Sequence, residues 1–211
     1  MGVIWCLHGF LGLPRDWDFL PFPHRAVNLF DDGLAELEEA KEDDVLLGYS
    51  MGGRLALREL LTRRFRKAII VSSGLNLEEK REQRQADDDA WARRFESDEP
   101  WWSLMKDWNT QPVFAGHEQP RNEQDFDRKQ LAAALREWSS GRLEPLAPRL
   151  KEIDVPVLWI AGERDVKYVI EGSRAVSLLP RGELWVCPRA GHRVPWERPE
   201  AFLARLRPFV E

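Results

Sequence analysis

The stretch "DVLLGYSMGGRLAL", residues 44–57, decides the reading of this chain. A continuous apolar run ends at a serine framed by glycines. Beyond it Leu55, Ala56, Leu57, Leu60 and Leu61 fall on one side of a helix. Gly48, Ser50 and Gly52 fit G-x-S-x-G at a strand-to-helix turn. In such an elbow the serine takes a strained backbone conformation, and the residues two positions away must be small because strand and helix nearly touch. Gly53 adds further room. A glycine-rich turn with Ser50 as a plain helix N-cap is the competing reading of these residues alone, so the rest of the chain has to decide.

Working outward, five more apolar runs resemble "DVLLGY": "VIWCLH" (3–8), "RAVNLF" (25–30), "KAIIVSS" (67–73), "VPVLWIAG" (155–162) and "ELWVCP" (183–188). They are near-continuous rather than alternating, as strands covered on both faces of a parallel sheet are. Helical patterns lie between them: after Ser50, closing on Arg63, Arg64, Arg66 and Lys67, and over 33–42, 168–179 and 198–209. Alternation of this kind predicts an α/β fold, a mostly parallel sheet of about six strands with helices on both faces. It breaks between about residues 75 and 149, where the periodicity is helical and five of the ten tryptophans fall (Trp91, Trp101, Trp102, Trp108, Trp138). That span is expected to be a helical cap inserted at 76–148 into a core formed by 1–75 and 149–211.

Two further pieces stand at strand ends in the right order. Asp165 follows the fifth strand in "AGERDVKY" and His192 follows the sixth in "PRAGHRVPW". The order Ser, Asp, His is that of α/β-hydrolases. Ser50, His192 and Asp165 then form a triad in which the imidazole takes the serine proton and the carboxylate orients the ring. Glu163 and Asp154 are rival acids, ranked behind Asp165. "LHGFLG" (7–12) follows the first strand, and the N–H groups of Phe10 and Met51 are the expected oxyanion-hole donors, with His8 a structural loop residue.

Bulk properties narrow the alternatives. The chain has 211 residues, 43% hydrophobic and 32% charged, with a formal charge of −5, and its basic residues are interleaved with acids. Nucleic acid is therefore not an expected partner. Cys6 and Cys187 form neither a disulfide framework nor a zinc pattern and read as buried thiols in a reducing, cytoplasmic setting. The N-terminus lacks signal-peptide features, and no apolar run is long enough to span a bilayer. No phosphate-binding glycine loop is present, and His8, His24, His117 and His192 have no metal-ligand spacing, so neither cofactor nor metal is expected.

Arg54 is a cation in the first turn of a helix, where it opposes the macrodipole. Either a neighbouring acid or an anionic substrate offsets it. In "EEKREQRQADDDAWARRF" (78–95), Arg84, Asp88, Trp91 and Phe95 share a helix face, with Arg81 one turn earlier. These arginines either snorkel over the aromatics or hold carboxylates bidentately.

Taken together, "LHGFLG…DW", "GYSMGGR", "GLNLEEKREQRQADDDAWARRF", "DWNTQPVF", "GERDVKY" and "PRAGH" resemble the 2-succinyl-6-hydroxy-2,4-cyclohexadiene-1-carboxylate synthase family of menaquinone biosynthesis. The resemblance implies a lyase on a hydrolase scaffold. Its triad acts as a base and eliminates pyruvate from 2-succinyl-5-enolpyruvyl-6-hydroxy-3-cyclohexene-1-carboxylate, with the enolate held by Phe10 and Met51. It further implies that arginines matching Arg54 and Arg84 bind the carboxylates of a small polycarboxylate substrate, with Tyr49 and Trp108 lining the pocket; Arg81 is added from its place on the helix face. The chain departs from the family in having Asn109 after Trp108. A further cap arginine has only Arg121 and Arg128 as candidates, and the span between Gly9 and Ser50 is short. A carboxylesterase or thioesterase for a small acidic substrate uses the same triad with Ser50 as nucleophile. A non-catalytic binding protein on this scaffold would have lost a triad member, and none is lost.

Overall fold

The apolar runs become six strands: β1 (Ile4–Leu7), β2 (His24–Val27), β3 (Val45–Tyr49), β4 (Lys67–Val71), β5 (Val157–Gly162) and β6 (Gly182–Cys187). They were located in a computed structural model that describes residues 2–31, 33–114 and 117–211. The strands form one sheet in the order β2-β1-β3-β4-β5-β6, and every pairing is parallel. Every residue of β1, β3 and β5 is buried, whereas the edge strands β2 and β6 are only partly so. Alternate strand residues such as Cys6, Leu47, Val71 and Ile160 face Trp17, Phe202 and Leu206 on one side. The intervening residues face the other side, where Trp159 lies so close to Gly172 that a Cβ there would stand 2.7 Å from the indole. Helices α5 (Val166–Leu178) and α7 (Pro199–Val210) thus cover opposite faces.

The order of β1 and β3 positions the site. From β1 the chain steps outward to β2 and then returns to place β3 on the other side of β1. Such a switch point opens a crevice beyond the carboxyl ends of the strands, where open α/β sheets hold their ligands.

Two helical expectations need correction. The helix after Ser50, α1, runs only from Met51 to Glu59 and does not reach the basic cluster. Arg63 turns back to the Glu59 carboxylate, while Arg66 and Lys67 donate to the carbonyls of Val210 and Phe209. Arg66 and Lys67 therefore satisfy the end of α7, as positive groups do at a helix C-terminus, and not the end of α1. The helix expected over 33–42 is a single 3-10 turn, Ala35–Glu39, in which Leu37 is the buried residue. One apolar side chain amid acids gives a longer helix little to bury.

By contacts the chain forms two compact units, Met1–Leu75 with Leu146–Glu211, and Asn76–Pro145. In the first, the amide of Leu146 donates to the carbonyl of Leu75 at 2.8 Å, so the chain leaves and re-enters at adjacent points. The second unit is built from α2 (Arg81–Glu96), α3 (Trp101–Asn109) and α4 (Arg128–Glu137). Asp127 caps α4, its carboxylate accepting the amides of Lys129 and Gln130. A unit this small gains most from large side chains. Phe95, fully buried, meets Trp91, Trp101 and Trp108, and Trp101 stacks on Phe126. Trp102 is exposed instead. Arg136 of α4 grips Glu96 of α2 with both terminal nitrogens, and Arg142, in the turn after α4, reaches both oxygens of Asp89 through Nη2.

Candidate active site

Ser50 closes β3 and caps α1 with φ 53° and ψ −111°, a conformation costly for a residue with a Cβ. The elbow holds because its surroundings admit no alternative. A Cβ on Gly48 would stand 2.4 Å from the Gly52 carbonyl oxygen, and one on Gly52 would stand 2.4 Å from that of Leu7. The Ser50 amide donates to Val71 in β4, and the Ser73 hydroxyl donates to the Ser50 carbonyl at 3.0 Å. Strand, helix and neighbouring strand therefore fix the serine from three directions.

His192 Nδ1 lies 2.7 Å from Asp165 Oδ2, and His192 Nε2 lies 3.1 Å from Ser50 Oγ. An ionised carboxylate only accepts, so Nδ1 carries the proton and Nε2 accepts the serine hydroxyl. Both Asp165 and His192 are buried. The three residues come from the ends of β3, β5 and β6, which lets an all-parallel sheet bring them together across 142 residues of chain. Glu163 is turned to a different task, since its carboxylate accepts the Arg189 amide at 2.8 Å.

Met51 is the first residue of α1, so its amide is among the donors that the helix leaves unused. The Gly9–Phe10 backbone passes beside the serine, and a Cβ on Gly9 would lie 3.5 Å from Ser50 Cβ. His8 supports this loop. Its Nδ1 donates to the Gly9 carbonyl at 2.7 Å and its Nε2 accepts the Leu29 amide at 3.1 Å. Tyr49 is buried, with its ring edge-on to Trp196 at 4.9 Å and tilted to His192 at 5.5 Å. Burial pushes its phenol well up, against the opposing pull of the Arg193 guanidinium that hydrogen-bonds it. Arg54 lies half-buried in the first turn of α1, its amide bonded to the Ser50 carbonyl.

In the second unit the remaining sequence-derived residues have defined settings. Arg84 grips Asp88 through Nε (2.9 Å) and Nη2 (2.8 Å), which leaves the Nη1 amine outside the fork. Arg81 donates to the carbonyls of Leu77 and Arg142 and so ties α2 to the 139–144 turn. Trp108 is buried against Trp91, at 5.0 Å between ring centres. Asn109 donates to the Met105 carbonyl, and Arg128 pairs with Glu123.

The profile of the alpha/beta hydrolase family matches residues 3–205. The chain belongs to that family. Among curated relatives, the 2-succinyl-6-hydroxy-2,4-cyclohexadiene-1-carboxylate synthase of Pectobacterium atrosepticum is 30% identical, over 97% of this chain and 92% of its own length. The synthase of Yersinia pestis is also 30% identical, over 99% and 86%. Among solved structures, MenH from S. aureus aligns with a TM-score of 0.87 at 26% identity, over 99% of this chain and 93% of that one. An esterase from Exiguobacterium antarcticum shares the fold, with a TM-score of 0.72 at 18% identity.

This alpha/beta hydrolase also holds residues at its site that the sequence did not single out. The Tyr168 ring lies 4.7 Å from that of His192, so the imidazole is in contact with two tyrosine rings, those of Tyr49 and Tyr168. Glu197 accepts the amides of Gly191 and Arg193, on either side of His192. Among the described residues no group of His, Cys, Asp and Glu is placed to hold a metal, and no helix is long and apolar enough to cross a membrane.

Proposed function

We propose that this chain eliminates pyruvate from 2-succinyl-5-enolpyruvyl-6-hydroxy-3-cyclohexene-1-carboxylate to give 2-succinyl-6-hydroxy-2,4-cyclohexadiene-1-carboxylate, a step of menaquinone biosynthesis. The observation that carries the chemistry is the contact of Ser50 Oγ with His192 Nε2 at 3.1 Å, with Asp165 behind the ring. The substrate comes from the likeness to the synthases along nearly the whole chain.

In this reading Ser50 removes the ring proton beside the succinyl ketone as its own proton passes to His192, and Asp165 balances the imidazolium charge. The enolate oxygen is held by the amides of Phe10 and Met51 at the positive end of α1. Its electrons re-form the ketone and shift through the ring. The ring C–O bond to the enolpyruvyl group breaks, a second ring double bond forms, and the departing enolate takes up the proton as pyruvate. No bond forms between Ser50 and carbon. Arg54, Arg84 and Arg81 are the proposed carboxylate-binding side chains, and Tyr49 and Trp108 are proposed substrate contacts, as the resemblance to the synthases and the helix face of Arg81 suggest. The substrate is a small polycarboxylate, and a cytoplasmic setting fits the buried free thiols Cys6 and Cys187.

The test is pyruvate release from the enolpyruvyl substrate, corrected for spontaneous elimination, in wild type and Ser50→Ala. Release that collapses in the variant supports the lyase. No release above background, together with hydrolysis of short acidic esters or thioesters, replaces it with an acyl-enzyme mechanism on the same triad.

A further inference from the structure

The loop that carries His192 is held by a carboxylate that touches none of the reacting groups. Glu197 ends α6 (Val194–Glu197), a single helical turn. Its Oε2 accepts the Gly191 amide at 2.6 Å and its Oε1 accepts the Arg193 amide at 3.0 Å. Its own amide donates to the Arg193 carbonyl at 2.9 Å. The backbone amides of the residues before and after His192 are therefore fastened to one side chain.

Gly191 is shaped for this. A Cβ there would lie 3.0 Å and 3.2 Å from the two carboxylate oxygens. The other face of the loop is equally closed, since a Cβ on Gly162 would stand 2.0 Å from the Gly191 carbonyl oxygen.

We propose that Glu197 is the positioning residue of His192: by holding the Gly191 and Arg193 amides at once, it sets the imidazole on the line between Asp165 and Ser50. A carboxylate meets this demand directly, because Oε2 takes the Gly191 amide and Oε1 the Arg193 amide, one oxygen for each donor. An amide accepts at one oxygen and turns an NH2 toward the other donor. The arrangement matters for rate because a catalytic group displaced by about 1 Å loses on the order of 100-fold. The inference rests on Ser50, Asp165 and His192 working as a triad, and not on which substrate they act upon.

The experiment compares wild type and Glu197→Gln as folded proteins, using phosphonylation of Ser50 by a fluorophosphonate. The variant should label about tenfold or more slowly at saturating probe with its half-saturation concentration unchanged. The downfield proton resonance of the His192 Nδ1–H bond to Asp165 should shift or broaden. Labelling at the wild-type maximal rate, or slowing only in proportion to an unfolded fraction, overturns the role. Should Glu197→Gln fail to fold, Gly191→Ala presses a Cβ on the same carboxylate with its charge intact, and the same slowing is expected. Failure of wild type to label Ser50 overturns the triad reading, and this inference with it. Labelling without pyruvate release leaves the Glu197 test intact and overturns the lyase reading alone.

Discussion

Gly52 and His8 approach so closely that a Cβ on Gly52 would stand 2.5 Å from the His8 carbonyl oxygen. The helix that follows the serine is thereby pressed on the loop that follows β1, and the two proposed oxyanion donors, Phe10 and Met51, belong to the two sides of this contact. Gly52→Ala must separate them. The expected cost is about 2–3 kcal/mol, roughly 5–10 °C in Tm for a chain of this size. Thermal unfolding measures it. Activity should fall further than the folded fraction, because the Met51 amide moves.

Asp165 and Glu163 lie on one loop with different partners. Asp165→Asn should reduce turnover by a factor on the order of 10³–10⁴, since the amide favours the wrong tautomer of His192. Glu163→Gln should cost at most a few-fold, because one amide N–H is all that its carboxylate accepts among the bonds described, and a glutamine oxygen can replace it. Steady-state pyruvate release separates the two variants, and the reverse ranking would move the triad acid to Glu163.

Arg84 has two consequences that a pair of variants can separate. Its partner Asp88 has a side chain only 5% exposed while the Arg84 side chain is 43% exposed. Arg84→Ala strands a buried carboxylate, and the exposed end of the pair keeps the loss near about 1–2 kcal/mol. It should also raise KM on the order of tenfold by removing a charged contact to substrate. Arg84→Ala with Asp88→Ala should recover the stability and leave KM high. Recovery of both would make Arg84 structural.

Asp44 gives the stability a pH dependence of known sign. Burial acts to raise its pKa, and the amide of Lys41, the indole N–H of Trp5 and the amide of Val3 outweigh it and hold the carboxyl below its usual value. A depressed folded pKa adds stability that is complete above the unfolded value, about 3.9, and disappears as pH falls through the folded one. Urea unfolding of wild type and Asp44→Asn should show a constant gap near neutral pH that narrows below about pH 4. A gap that widens toward acid would contradict the assignment.

The strands, and the residues that form the Ser50–His192–Asp165 hydrogen-bond chain, were legible because each leaves a local mark. β3 and β5, buried throughout, are continuously apolar and lead to Ser50 and Asp165, while the edge strand β6 is apolar over its last four residues and leads to His192. The end of α1 was not legible, because Arg66 and Lys67 act on carbonyls 144 and 142 residues away, and charge at a helix end looks the same whichever helix it serves. Glu197 was hidden for a related reason: its partners are backbone amides, and every residue except proline carries one.

The Leu146–Leu75 hydrogen bond has an evolutionary consequence. Residues 76–145 depart from and return to neighbouring positions, so lengthening, shortening or exchanging them leaves the register of all five strand pairings untouched. Ser50, Asp165 and His192 lie outside this span. A lineage can therefore rewrite the insert that here carries Arg81, Arg84 and Trp108 under one set of selective pressures while the hydrogen-bonded Ser50, His192 and Asp165 are inherited under another.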